Sequence, residues 1–482
     1  MPSLPVEVDS FRHLLQARLA CPLCGNTSTE YEFVIDRAAY SQCPACRLLF
    51  RGGPSPQRVN RADGEQIGSI VTAVSAVLNA YAGTIGDKLF VAPASAGVGG
   101  MKHAADIGDL DADASFDAIL VAGTLERHDD PIAFLAAIRS RLRPNGVVAI
   151  MVPSTASDAA KSQHRKWTAL ASQDRFYFSP DNLQLLSSRC GFGDFIPITD
   201  ARDMLRAPNK CVVEWFRSNA LLVCRPADGE RARGLLSVIF PVYNEEQYVE
   251  ASLERVLAKR IPNVEIEVVV VESNSTDASR EIVRRYETHP RVRLVLEDRP
   301  RGKGYAVRTG IRHASGEVIL FQDADLEYDV GDYDCLVAPL FERKRNFVLG
   351  SRHNVRGNAW KIREFADQRT VATITNLAHV ALLTIFNALY RQRLQDPFTM
   401  YKVFRRECLF GLEFECNRFD FDFEICIKLL RKGYQPLEIP INYQSRSFKE
   451  GKKVSFFTDP PTWLRAMAKL RRAVLYPMLR RS

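Results

Sequence analysis

The chain has few of the features that would carry it into or across a membrane. Its first residues, MPSLPVEVDSFRHLLQARLACPLC, show no basic segment followed by an apolar run and a cleavage site, so no secretory leader is expected. No stretch reaches the roughly eighteen consecutive apolar residues of a spanning helix. The nearest, Thr370 to Tyr390, is broken by Asn376, His379 and Asn387. Repeats and low-complexity tracts are missing, and so is a large charge imbalance. Lys and Arg outnumber Asp and Glu by 65 to 57, a formal charge of +8. That excess suits a phosphate-bearing substrate or an anionic membrane surface, and it is too small to point to nucleic acid. The expectation is a cytoplasmic protein, with contact limited to peripheral association at the inner face of a membrane.

A disulfide framework is also missing. Of eleven cysteines, seven stand singly, as in ALLVCRP. The other four form Cys21-Pro-Leu-Cys24 and Cys43-Pro-Ala-Cys46, spaced C-x2-C-x18-C-x2-C. Two such knuckles bring four thiolates to one tetrahedral centre, so Cys21, Cys24, Cys43 and Cys46 are expected to hold Zn2+. Four protein ligands close the coordination sphere, which makes the site structural.

A length of 482 residues with 46% apolar content is enough for two or three cores. The sharpest break in composition is PADGERARG, residues 226–234, a polar run between apolar strands. The expected organisation is a zinc-binding, ribbon-like module (1–55), an α/β domain (56–225), the linker (226–234), a second α/β domain (235–460) and a basic amphipathic C-terminal helix (461–482). In the second domain LLSVIFPVYNEE, EIEVVVVESNS and GEVILFQDADLE are short β-branched runs ending in polar residues, separated by amphipathic helical patterns. Alternation of this kind predicts a doubly wound, mostly parallel sheet with ligands at the carboxyl ends of its strands.

Those ends carry the candidate chemistry. The turn after the first strand, with Pro241, Tyr243 and Glu245, and the acids of ESNSTD, Glu272 and Asp277, are candidates for a base and ribose, although Asp277 is also an ordinary helix-capping type. Arg301-Gly-Lys303-Gly puts a basic loop before a helix, a mouth for an anionic diphosphate. Asp323 and Asp325 then leave a strand two residues apart and on one side of it, hard oxygen ligands suited to Mg2+ or Mn2+ bridging to diphosphate oxygens.

Two resemblances follow from longer motifs. FDAILVAGTLERHDDPIAFLAAIRSRLRPNGVVAIMVPS, from Phe116, resembles the C-terminal half of a class I S-adenosylmethionine-dependent methyltransferase, a Rossmann-like fold. The family's glycine-rich cofactor turn would fall at Val91-Ala-Pro-Ala-Ser-Ala-Gly97, which has one glycine and a proline, and the interval through Asp106 to Phe116 is too short for the usual elements. His128 also sits one place from the family's histidine. These departures speak against S-adenosylmethionine and for a degenerate scaffold or acceptor-binding module, with Asp106 and Glu126 as surface or capping acids.

From Leu235 to Asp459 the chain resembles the inverting family 2 glycosyltransferases of the GT-A fold, most of all the polyprenyl-phosphate sugar synthases. The resemblance is carried by Gly350-Ser-Arg352, QDPFTMYKVFRRE (395–407), NRFDFDFE (417–424) and RSFKEGKKVSF from Arg446. It implies a nucleoside-diphosphate sugar donor and a lipid-phosphate acceptor. It also implies Asp422, Asp396 and Glu424 as the acids at the acceptor, and Arg352, Lys402 and Arg446 as phosphate-binding cations. The same residues leave open a soluble glycosyltransferase acting on a glycan, natural-product or protein hydroxyl, or a bifunctional glycosyltransferase/methyltransferase. The acids 420–424 also read as the first turn of a helix running to Arg431. The basic helix from Trp463 and the segment Thr370 to Tyr390 each read equally as membrane-interfacial or as packed on the domain.

Overall fold

The computed structural model describes residues 20–35, 38–52, 64–83, 85–92, 101–111, 113–172, 174–227, 234–353, 369–445 and 459–480. They divide into two compact units, one taking in Met1–Asp228 and Val474–Ser482, the other Gly229–Ala473.

In the first unit the two knuckles are built alike. Cys21 N–H donates to Asn26 O and Gly25 N–H to Cys21 O, while Cys43 N–H donates to Leu48 O and Arg47 N–H to Cys43 O. Each tight turn needs a left-handed residue, supplied by Gly25 (φ 72) and by Arg47 (φ 60). Strands β1 (Glu30–Ile35), β2 (Ala38–Gln42) and β3 (Leu49–Arg51) continue from the knuckles as an antiparallel sheet.

A six-stranded sheet follows, built from β4 (Lys88–Val91), β5 (Lys102–Ala104), β6 (Phe116–Ala122), β7 (Leu142–Pro153), β9 (Phe192–Ile198) and β10 (Asn219–Pro226). The two-residue β8 (Phe176–Tyr177) pairs instead with β3. The order is β5-β4-β6-β7-β10-β9, parallel from β5 to β7, with β10 antiparallel to both neighbours. Between β5 and β6 the described residues hold a single 3-10 turn, Ile107–Asp109, in agreement with the shortness of that interval. Asp106 caps it, accepting from Gly108 N–H. The segment Val91 to Gly97, where the resemblance would put a cofactor turn, lies largely outside the described residues.

Glu126 corrects the expectation of a surface or capping acid. It is 3% exposed, one carboxylate oxygen has no hydrogen-bond partner, and the buried Asp174 nearby is paired with Arg127 at 2.8 Å. Burial first, and then the charge of Asp174, push the Glu126 carboxyl up to about 8. With a folded value above the ordinary 4.5, the stability this group contributes is fullest below 4.5 and is lost as pH rises toward 8, by at most about 1.4 kcal/mol per pH unit. Glu126→Gln should therefore raise the calorimetric unfolding temperature at pH 8 and leave it nearly unchanged at pH 4.5. An equal effect at both pH values would contradict a buried neutral carboxyl.

The second unit contains β11 (Leu235–Val242), β12 (Glu265–Glu272), β13 (Val292–Leu296), β14 (Val318–Phe321), β15 (Phe347–Ser351), β16 (Lys402–Arg405) and β17 (Leu437–Pro440). The sheet order is β13-β12-β11-β14-β16-β15-β17. Strands β13 to β14 are parallel, β16 is antiparallel to both neighbours, and β17 is parallel to β15. The inner strands are β-branched and buried on both faces, as a sheet covered by helices on each side requires. The cover is close. A Cβ on Gly310, in helix Lys303–His313, would lie 2.4 Å from Ile239 Cγ2, so only glycine lets the helix lie this near the sheet. Strand order reverses between β11 and β14, and the crevice beyond that point is where a doubly wound sheet opens.

Helix Arg369–Tyr390 holds the window Thr373–Tyr390, with mean hydropathy 1.3 and 17% of it buried. By length and composition this helix could cross a membrane, a test that core helices of soluble proteins also pass. The three interrupting polar residues do not keep it below that threshold, contrary to the expectation from run length. Ile374, Leu377 and Ile385 lie exposed along it. Helix Asp459–Arg472 buries Ala466, Met467 and Leu470 and stacks Trp463 on Phe423 at 5.6 Å, while Leu464 stays exposed. It is packed on its unit through one face and ends at Arg472, short of the helix expected over 461–482.

Candidate active site

The end of β14 is fixed by a buried neutral network. Tyr333 and Tyr401 hydroxyls donate to Gln322 Oε1 at 2.8 and 2.7 Å, and Gln322 Nε2 donates to Asp323 O at 2.8 Å. Because the main chain is held, the side chains of Asp323 and Asp325 have a defined place. Leu326 then takes φ 61, an uncommon angle for a branched residue, and turns the chain so that Glu327 N–H donates to Asp325 Oδ1 at 3.2 Å. Glu327 in turn accepts from Tyr443 hydroxyl at 2.7 Å.

These residues form one wall of a cavity of about 750 Å³. Pro241, Tyr243 and Glu245 reach it from the end of β11, Lys303 from its helix N-terminus, Arg352 from the end of β15, and Asp422 from the first turn of helix Phe421–Arg431. Asp422 is thus both a first-turn acid and a cavity residue. The far side is apolar, with Leu382, Ile385, Phe398, Phe423, Trp463 and Leu464.

Lys303 Nζ lies 2.8 Å from Asp323 Oδ1 and 2.9 Å from Oδ2. Burial raises the Asp323 carboxyl above its usual range and would lower the Lys303 ammonium, but Asp323, Asp422 and Asp325 hold the Lys303 proton more firmly than in water. The carboxylates are hard donors that suit Mg2+ or Mn2+. Among the described residues, however, no third acid or histidine joins this pair at ligand distance, so the protein alone does not enclose an ion there. The four knuckle sulfurs do form such a group, all within 4.8 Å of one another, and they fit a zinc module.

Several candidates are not in the cavity wall. Glu272 is fully buried, paired with Arg280 and accepting from Ser275 N–H at 2.6 Å. Asp277 accepts from Ser279 and Glu246 N–H. With Asn244 and Ser275, Asp277 braces the β11 loop against the β12 loop, whereas Glu272 is satisfied within the segment that follows β12. Glu424 is also corrected. It points into the domain, accepting from Glu415 and Cys416 N–H and pairing with Lys428 at 2.6 Å. Asp396 and Lys402 are fully buried one layer back, Asp396 gripping Arg352 through two 2.8 Å bonds and Lys402 touching Asp422 at 3.3 Å. Arg446 lies outside the described residues.

A family model described as Glycosyl transferase family 2 matches residues 237–401. The chain carries a family 2 glycosyltransferase domain. A model described as Methyltransferase domain matches residues 57–194, so a methyltransferase-like domain precedes it. Over 219 residues the chain is 27% identical to the dolichyl-phosphate beta-glucosyltransferase ALG5C of Trichomonas vaginalis, covering 42% of this chain and 62% of that protein. It is 36% identical over 144 residues to the dolichyl-phosphate beta-glucosyltransferase of Drosophila melanogaster, covering 27% and 44% respectively. The chain therefore spans less than two thirds of either relative. The solved glucosyl-3-phosphoglycerate synthase from Mycobacterium tuberculosis, in complex with Mn2+, uridine-diphosphate and phosphoglyceric acid, overlays with a TM-score of 0.37 at 18% identity, over 50% of this chain and 80% of that one.

The sheet of the glycosyltransferase domain is mixed and parallel-rich. The family match stops at Tyr401, before Asp422. Reading the sequence missed Glu327, Arg418, Phe419, Tyr443 and His379, all of which line the cavity. Glu327 could have been found two residues past Asp325, and Arg418 and Phe419 inside NRFDFDFE. Tyr443 closes the motif Ile439-Pro-Ile-Asn-Tyr443 ahead of Arg446, while His379 carried no local signal, because tertiary packing brings it in.

Proposed function

We propose that the second unit transfers a hexose from a nucleoside-diphosphate sugar to a polyprenyl phosphate at a membrane surface. The observation that carries this reading is the two kinds of lining in one cavity: a polar side with acids and cations at the carboxyl ends of β11, β14 and β15, and an apolar side drawn from helices Arg369–Tyr390, Phe421–Arg431 and Asp459–Arg472 and from Phe398. A donor sugar needs the first side, and an acceptor that joins a phosphate to a hydrocarbon chain needs both. The relatives named for dolichyl-phosphate glucosyl transfer agree with that acceptor class.

Tyr243 and Glu245 stand where the nucleoside would enter, with Lys303 at the diphosphate. A divalent cation held by Asp325 and Asp323 would supply charge neutralisation for the departing nucleoside diphosphate. Arg352 and the helix turn bearing Asp422 flank the other side. A phosphate acceptor is already anionic near neutral pH, so positioning and charge matter more than proton removal. Asp422, partly exposed and touching Lys402, is the carboxylate available to orient that nucleophile. The exposed apolar residues of helix Arg369–Tyr390 and the basic last turn of helix Asp459–Arg472 support association with a lipid surface.

The test is transfer of labelled sugar from GDP-mannose, UDP-glucose or UDP-GlcNAc, with Mn2+ or Mg2+, to a polyprenyl phosphate in detergent. A chloroform-extractable, acid-labile product is expected. Labelling only of hydroxyl acceptors, with every lipid phosphate inert, would refute the proposed acceptor.

A further inference from the structure

Lys303 has a second consequence for how the site is loaded. Its ammonium is centred on Asp323, within hydrogen-bond reach of both carboxylate oxygens, and among the described residues no other cation pairs with that carboxylate. A metal approaching Asp323 must meet this ammonium first. The position is built in by the backbone. Gly302 takes φ 104, and a Cβ there would lie 2.4 Å from Asn417 O; a Cβ on Gly304 would lie 2.5 Å from Phe421 Cβ. The start of the helix is therefore seated against the segment bearing Arg418 and Asp422, and only the flexible four-carbon stem of Lys303 is free to relocate. Its head also lies 5.8 Å from the centre of the Phe419 ring, on the cavity side. Finally, Asp323 and Asp325 lack a third protein ligand among the described residues, so an ion at the pair needs oxygens brought by something else.

We infer that Lys303 is a tethered cation that occupies Asp323 until a nucleoside diphosphate arrives, so that divalent metal and nucleotide bind together instead of metal first. The diphosphate offers the ammonium a stronger anionic partner and gives the metal the oxygens the protein lacks. Moving Lys303 from one to the other frees Asp323 without shifting the backbone. This rests on the metal-dependent reading of Asp323 and Asp325.

The test is Mn2+ binding by the full chain, followed from the free-ion electron paramagnetic resonance signal, with and without UDP or GDP. Mn2+ prefers oxygen to sulfur, so the zinc-loaded thiolate site stays silent. Wild-type protein should bind Mn2+ at least about 10-fold more weakly without nucleotide than with it. Lys303→Met should tighten nucleotide-free binding by about the same factor, and adding Asp325→Asn should abolish the gain. Lys303→Gln gives the same comparison if the Met variant does not fold. Equal nucleotide-free affinity in wild type and the Lys303 variants, with nucleotide still tightening the wild type, would overturn the tethered-cation role while leaving the metal site standing. Absence of Mn2+ binding under every condition would instead overturn the metal reading, and this inference with it.

Discussion

Asp325→Asn is expected to lower sugar transfer about 10³-fold, roughly 4 kcal/mol of transition-state stabilisation, while leaving the unfolding temperature within about 2 °C of wild type. The two halves of this expectation have different origins. In the proposed reaction activity depends on the carboxylate because departure of a nucleoside diphosphate builds more negative charge than the single charge of Lys303 offsets. Stability does not depend on it because Asp325 lies at the cavity wall, where an amide of the same shape still accepts from Glu327 N–H. Steady-state assays with the better donor, alongside calorimetry, separate the two. EDTA should reproduce the loss in wild type, and added Mn2+ should reverse it. Full activity in Asp325→Asn would move the metal, or the need for one, elsewhere.

The fold was legible where local pattern and tertiary demand coincide. Strands β11, β12 and β14 are runs of β-branched residues that suit a sheet buried on both sides, and the polar ends of β11 and β14 line the cavity. The knuckles were legible for the same reason, since metal geometry forces the spacing. Glu272, Asp277 and Glu424 show where legibility stops. Each is an acid at a strand end or in a first helical turn, the same local setting as Asp325 and Asp422, and whether such an acid faces a ligand or a neighbouring backbone N–H is decided across the sheet. Asn244 at φ 50 and Asn274 at φ 56 turn the two loops toward each other, and Asp277 is drawn into bracing that contact. Glu126 failed in the opposite direction: its polar sequence context, LERHDD, gave no sign that the turn after β6 folds inward.

Asp396→Asn should cost about 3–5 kcal/mol of stability, well beyond the effect of Asp325→Asn, because it leaves a buried guanidinium without its counter-charge. Asp396 is fully buried and accepts from Arg352 N–H at 3.0 Å as well as from Nε and a terminal nitrogen at 2.8 Å, while Glu438 fixes the Asp396 backbone N–H at 2.8 Å. Burial alone would raise this carboxyl, but the Arg352 charge and its hydrogen bonds hold it well below the usual range. The folded value is depressed, so the stability is present above the ordinary value near 3.8 and is lost as pH falls through the lower folded value. Wild type should therefore lose stability steeply in that acid range, and Asp396→Asn should show a flatter acid limb from a lower plateau. This separates two of the three acids, Asp396 and Asp422, that the sequence offered together at the acceptor. Asp422→Asn should reduce turnover with little loss of stability, since Asp422 lines the cavity. Asp396→Asn should reduce stability first and weaken acceptor binding through a displaced Arg352, a KM effect that Arg352→Lys, which lacks the two-pronged grip, should reproduce in part. A large loss of turnover in Asp396→Asn at unchanged stability and KM would return Asp396 to the reacting atoms.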